Sequence, residues 1–335
     1  MGVALALSER TRGASAPNPN VGCVIVRDGR VVGRGWTQAG GRPHAEAVAL
    51  AEAGAEARGA TVFTTLEPCA HVSTRGPACS DLLIAAGVAR VVAALRDPDP
   101  RTAGAGFARL AAAGIAVSTG LRAADARRSL AGFLTRRRYA RPQVTLKLAT
   151  SLDGCIAMAS GESRWITGPE ARAHAHLERS RHAAILVGRG TYEADAPRLD
   201  VRLAGLEARA PRRVMLSSRG VSAAQPAAPR HPSEGWGDGG LAGWTVIPSP
   251  ADIATLDGVD HLLVEGGAQT AAAFLAADLV DRLLLYRAPI LIGAGKPAMG
   301  DIGIDLSAAH GRWAAVDARQ LGSDRLEVYE RARSD

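Results

Sequence analysis

The chain has 335 residues, a hydrophobic fraction of 47% and a formal net charge of +7. That length suggests two domains at roughly 100–200 residues each, and an aromatic fraction of 4% leaves the cores to Ala, Val, Leu and Ile. The basic residues are scattered and rich in Arg, which ranks a nucleic-acid role low. No signal peptide or apolar run of membrane-spanning length is present, and the expected setting is cytoplasmic.

In chain order, Val3–Arg12 reads as a short helix, and Pro17-Asn18-Pro19-Asn20 forces a loop. Val21–Arg27 and Arg30–Trp36 flank Asp28-Gly29, a hairpin signal. A helix starts at or near His44 and runs through Ala45–Ala57, followed by a β-branched strand at Ala60–Leu66. Helices are then expected at Cys79–Ala86, Ala103–Ala113 and, as one long element, Ala123–Tyr139. Strands are expected at Arg90–Leu95 and Ile115–Thr119. Strands alternating with helices argue for a three-layer α/β domain.

Arg141-Pro142 marks a boundary, giving domains 1–141 and 142–335. Beyond it, strands are expected at Gln143–Ala149, Ala183–Val187, Arg213–Leu216, Trp244–Ile247, His261–Val264, Leu279–Pro289 and Arg325–Glu330. Helices are expected at Glu170–Arg181 and Gln269–Ala276, and residues 223–243 read as a surface excursion.

The chemistry is concentrated in His44-Ala45-Glu46, Pro68-Cys69 and Cys79. One imidazole and two thiolates suit zinc with an open fourth position, and an adjacent carboxylate suits proton transfer. This is the pattern of a hydrolytic deaminase of an amino-substituted heterocycle. Of the other cysteines, Cys23 reads as a core residue, and Cys155 has no evident partner. A histidine that merely caps a helix would leave Glu46 and Pro68 unexplained, and a structural zinc site would not require the carboxylate. Nine residues separate the two cysteines where two are usual, enough for a loop that touches substrate.

Together with Pro17–Gly22, Thr65–Cys69 and Ile84–Val92, these motifs resemble the bacterial bifunctional riboflavin-biosynthesis deaminase/reductase family. The resemblance continues through Leu146–Gly154, Gly161–Thr167 and Val264–Gly267. It implies a cytidine-deaminase-like domain followed by a dihydrofolate-reductase-like α/β domain, with zinc and NADPH as cofactors. The implied substrate is 2,5-diamino-6-ribosylamino-4(3H)-pyrimidinone 5′-phosphate. It is deaminated at C2, and its ribosyl chain is then reduced to ribityl.

The resemblance also implies roles for individual residues. His44, Cys69 and Cys79 hold the metal, Glu46 moves protons, and Asn20 and His71 hold the pyrimidine. Cofactor contacts fall at Ala149, Trp165, Thr191, Asp195 and Ser218, and along Gly267-Ala268-Gln269-Thr270-Ala271-Ala272-Ala273. Substrate contacts fall at Ser163, Arg179, Leu199, Arg202 and Glu265, with the two arginines suited to phosphate. A homo-oligomer is a further expectation, with no nucleic-acid or membrane partner. Departures from the family pattern are Ala70 after the first zinc cysteine, a longer loop to Cys79, Ala196 before Pro197, and a short amino terminus that leaves room for a start upstream. The rival readings are a deaminase of another base with an inactive second domain, and a zinc-stapled nucleic-acid module. Scarce aromatics speak against the latter.

Overall fold

The computed structural model describes residues 1–71, 73–219 and 242–333. Most of the stretch expected as a surface excursion, and Val72 of the loop between the cysteines, lie outside the described residues. The chain divides into two compact units, Met1–Arg141 and Pro142–Asp335.

The first unit runs α1 (Gly2–Ser8), β1 (Gly22–Arg27), β2 (Arg30–Trp36), α2 (Ala45–Ala53), β3 (Thr61–Thr64), α3 (Cys79–Ala86), β4 (Arg90–Ala93), α4 (Ala105–Ala112), β5 (Ala116–Thr119), α5 (Ala123–Ser129) and α6 (Ala131–Tyr139). Its sheet has the order β2-β1-β3-β4-β5. Asp28 and Gly29 both take positive φ, 48° and 76°, the backbone a two-residue hairpin turn requires, and Arg27 pairs with Arg30 across it. Alternate residues of β1 go to different clusters. Cys23 and Ile25 pack with Ala45 and Ala49 of α2, and Val24 packs with Ala4 and Leu7 of α1. β3, β4 and β5 run parallel, joined by helical crossovers. The expected single helix over 123–139 is two helices that meet at Leu130. At the break the hydroxyl of Ser129 donates to Glu9 and pairs with Ser8, while Leu130 is wholly buried in the core. Tertiary bonds at a serine bend the chain where the composition alone reads as continuous helix.

The second unit runs β6 (Gln143–Thr150), β7 (Cys155–Ala157), α7 (Pro169–Ser180), β8 (Ala184–Gly188), α8 (Arg189–Asp195), β9 (Arg212–Leu216), β10 (Trp244–Ile247), β11 (His261–Val264), α9 (Ala268–Ala276), β12 (Arg282–Arg287), β13 (Lys296–Pro297), α10 (Leu306–Ala309), β14 (Trp313–Leu321) and β15 (Asp324–Arg331). Its main sheet has the order β10-β9-β8-β11-β6-β12-β15-β14. The six strands from β10 to β12 are parallel, and the β14–β15 hairpin adds antiparallel strands at one edge. The parallel strands are apolar runs such as Ala184-Ile185-Leu186-Val187-Gly188, buried at every position, as expected where both sheet faces are covered. Parallel strands send their carboxyl ends to one side, and in such sheets that side carries the ligand crevice. Five elements of this unit lacked a clear sequence signal: β7, α8, β13, α10 and β14.

Candidate functional site

In the first unit, His44 caps α2 and Cys79 opens α3, so two helix amino ends converge where Cys69 leaves the β3 strand end. The metal-binding atoms of His44, Cys69 and Cys79 all lie within 4.8 Å of one another. His44 Nδ1 is 3.3 Å from Cys79 Sγ and 3.6 Å from Cys69 Sγ, and the Cys79 amide donates to Cys69 Sγ at 3.2 Å. Hydrogen bonds from Cys79, then from His44, bring the Cys69 thiol down to about 4 despite burial. Two buried sulfurs and an imidazole at one point are a soft donor set that fits zinc. All four cysteines are free.

Glu46, in the first turn of α2, is 3% exposed and accepts from Thr64 Oγ1 at 3.3 Å. Burial raises its pKa, partly offset by the His44 charge. A carboxyl raised in this way holds a proton more readily than an exposed one, which suits a group that takes and returns it. The pocket above it is lined by Asn18, Thr37, His71, Asp97, Asp99, Arg101 and Arg137, among others. His71 is fixed by Thr102 at 3.4 Å.

Asn20 is a correction. It is 3% exposed, and its amide donates to the Ser8 and Ser129 carbonyls at 3.3 and 3.1 Å. It pins α1 to the α5–α6 corner and does not line the pocket. Asn18, two residues earlier, does line it, with Nδ2 3.1 Å from His44 Nε2 and 2.7 Å from the Gly41 carbonyl.

In the second unit a cavity of ≈ 800 Å³ opens at the carboxyl ends of β8, β9 and β11. Thr191, Asp195, Ser218, Gly267, Ala268, Gln269 and Thr270 line it, as do Arg189, Gly190 and Arg219. A Cβ on Gly188 would sit 2.2 Å from Thr270 Oγ1, and one on Gly266 would sit 2.5 Å from Thr270 Cβ. These glycines let the β8 end and the amino end of α9 close on one another, leaving a helix terminus exposed to the cavity. The cradle fits a dinucleotide pyrophosphate. The expected run stops short, however. Ala271 and Ala272 face inward and are buried, Ala271 within the core, and neither they nor Ala273 line the cavity. Helical periodicity turns the second half of that run away from the opening.

Other expected contacts are placed differently. Ala149 packs on a small core cluster. Trp165 is 62% exposed with Arg172 stacked over its ring at 4.6 Å, and Ser163 is exposed beside it. Arg164 bridges from that loop to Asp195 at 3.6 Å. Leu199 is 5% exposed, and its side chain packs against Ile185, Val187 and Leu263, which leaves its backbone as the group a ligand could meet. Arg179, expected on a phosphate, instead grips Glu265 through two bonds of 2.8 and 2.9 Å and donates to the Asp200 carbonyl. Buried opposite charges satisfy one another before a ligand arrives. Arg202 is exposed and holds Asp200 at 3.0 Å. Beside the Arg179–Glu265 pair lies Lys147 of β6, a residue the sequence did not single out. Burial lowers its pKa, against the attraction of Glu265.

Two family models match the chain: the cytidine and deoxycytidylate deaminase zinc-binding region over residues 1–95, and the RibD C-terminal domain over 142–227 and 252–326. The riboflavin biosynthesis protein RibD of Escherichia coli is 41% identical, over 97% of this chain and 96% of the relative. The chain belongs to the RibD family. RibD of Mycobacterium tuberculosis is 40% identical over 97% of this chain and 95% of its own length. Among solved structures, Acinetobacter baumannii RibD superposes with a TM-score of 0.83 at 35% identity, covering 99% of this chain and 98% of the other. A Thermotoga maritima diaminohydroxyphosphoribosylaminopyrimidine deaminase/5-amino-6-(5-phosphoribosylamino)uracil reductase gives 0.84 at 30% identity, covering 99% and 97%. The expected fold therefore holds, a cytidine-deaminase-like domain followed by a dihydrofolate-reductase-like one. So does the expected activity, a bifunctional deaminase/reductase of riboflavin biosynthesis. No helix among the described residues is long and apolar enough to cross a membrane.

Proposed function

We propose that the first unit uses zinc to deaminate 2,5-diamino-6-ribosylamino-4(3H)-pyrimidinone 5′-phosphate, and that the second unit uses NADPH to reduce the ribosyl chain of the product. The observation that carries the first half is the convergence of His44, Cys69 and Cys79 beside the buried carboxyl of Glu46. Zinc, when bound, supplies the Lewis acidity that makes water nucleophilic near neutral pH. Glu46 takes one proton from the water that adds at C2 and delivers it to the ring nitrogen, then takes the second from the added hydroxyl and delivers it to the leaving amine, so water is consumed and ammonia released. Asn18 and His71 orient the ring, and the pocket walls exclude bulk water.

NADPH, when bound, supplies the hydride to C1′ of the opened sugar. Gly267–Thr270 at the amino end of α9 would hold its pyrophosphate, and Thr191 and Ser218 would give polar contacts in the same cavity. Arg189 and Arg219 supply positive charge suited to a 2′-phosphate, which favours NADPH over NADH. Glu265, clamped by Arg179, and Lys147 beside it hold the sugar hydroxyls, and Arg202 remains for the substrate phosphate. Four free cysteines suit a reducing, cytoplasmic setting.

The test is metal analysis and product mass with the diaminopyrimidine phosphate. One zinc per chain, ammonia release without NADPH, and ribityl product with it are expected. Protein that carries zinc but releases no ammonia sinks the deaminase half.

A further inference from the structure

Glu67 stands directly before the Pro68-Cys69 pair and is 3% exposed. No step above uses it, yet its carboxylate accepts from four separate backbone amides. It accepts from the backbone N–H of Asp97 at 3.2 Å, Gly104 at 2.9 Å, Gly106 at 3.0 Å and Phe107 at 3.2 Å. These amides belong to one stretch, the loop after β4 and the first turn of α4. Helix α4 gets no side-chain cap from its own N-cap, Gly104, so the carboxylate supplies that cap from a distant part of the chain. The approach is close. A Cβ on Gly106 would lie 2.1 Å from the Pro68 carbonyl oxygen and 3.1 Å from Glu67 Oε1.

The same loop forms one wall of the deaminase pocket. Asp97, Asp99 and Arg101 line it, and Thr102 holds His71. Asp99 is in turn gripped by Arg101 and by Arg137 of α6. One buried carboxylate thus fastens the pocket wall to the chain segment that delivers Cys69.

We propose that Glu67 is a positioning residue of the deaminase, one that sets the substrate-binding wall at a fixed offset from the Cys69 ligand. The inference rests on the deaminase reading above. It assigns Glu67 to substrate binding rather than to the proton transfers, which belong to Glu46 on a different element.

The test uses the full chain carrying Glu67→Gln, Glu67→Asp or Gly106→Ala. Glutamine keeps the size but turns one acceptor into a donor that faces N–H donors. In Glu67→Gln, KM for ammonia release should rise about tenfold or more while kcat changes little, because an interaction that shapes binding has been lost. Bound zinc and NADPH-dependent reduction of the deaminated product should stay at wild-type levels. Glu67→Asp, which keeps the charge, should recover part of the KM, and Gly106→Ala should reproduce the Gln defect. Hydrogen exchange gives a readout besides activity. The amides of Gly104, Gly106 and Phe107 should lose protection while those of α3 keep theirs. Unchanged KM and unchanged protection overturn the proposal. So does loss of zinc or of the reductase activity along with the deaminase, which would make Glu67 a general structural brace. Wild-type protein that releases no ammonia removes the underlying reading, and the proposal with it.

Discussion

Replacing Arg179 by Met tests the electrostatics of the second unit. The Arg179 and Glu265 side chains are 17% and 9% exposed and share two bonds under 3 Å. Burial alone would raise the Glu265 pKa, but Arg179, with help from Lys147, overrides it and holds the carboxyl at about 2. A carboxyl depressed in the fold contributes stability that is present above its unfolded pKa and lost as pH falls towards the folded value. With Arg179 gone, desolvation dominates, Lys147 is the main remaining counter-charge, and the Glu265 pKa rises. Removing one partner of a buried pair typically costs about 3–5 kcal/mol; Lys147 and the retained apolar stem of Met favour the lower end. The cost should be largest at pH 8, where the orphaned carboxylate must stay charged, and smaller at pH 5, where it can take up a proton. Urea unfolding followed by tryptophan emission at both pH values reads this, since Trp165, Trp244 and Trp313 report on the second unit. A loss under about 1 kcal/mol at both pH values, the level of an exposed pair, or a loss that grows as pH falls, would refute the reasoning.

Asn18→Ala should raise KM for deamination with little effect on stability. Asn20→Ala should lower stability by about 1–3 kcal/mol, because buried carbonyls lose their donor, and leave KM unchanged; the opposite pattern would reverse their assignment. Gly188→Ala places a methyl carbon on Thr270 Oγ1 and should raise KM for NADPH while sparing ammonia release. Removing metal with a chelator should abolish ammonia release and leave NADPH oxidation with the deaminated product, and equal loss of both activities would contradict two independent sites.

The convergence of His44, Cys69 and Cys79 beside Glu46 was legible because those residue types in that order point to one site without reference to packing. The hairpin at Asp28-Gly29 was legible because positive φ is written into those residue types. What the sequence hid depends on partners far along the chain. Asn18 and Asn20 sit in matching Pro-Asn surroundings, and only the packing of α1 against the α5–α6 corner decides which faces the pocket. Arg179 and Glu265 are 86 residues apart, so their mutual grip has no local signal. Lys147 looks like an ordinary strand residue until parallel β11 and β12 are laid on either side of it. The Ala-rich run after Gly267 reads as uniform, yet the helix turn divides it between cavity and core.

The most direct test of the central claim follows one substrate through both chemistries. Wild-type and Glu46→Gln chains are given the diaminopyrimidine phosphate, with and without NADPH, and the product masses are read. Wild type should exchange an amino group for oxygen without NADPH and add two hydrogens when NADPH is present. Glu46→Gln should lose the first change by about 100-fold or more and still reduce deaminated substrate supplied to it. Full deamination by Glu46→Gln would contradict the role assigned to that carboxyl, and wild-type chain that never reduces the deaminated product would contradict the second site.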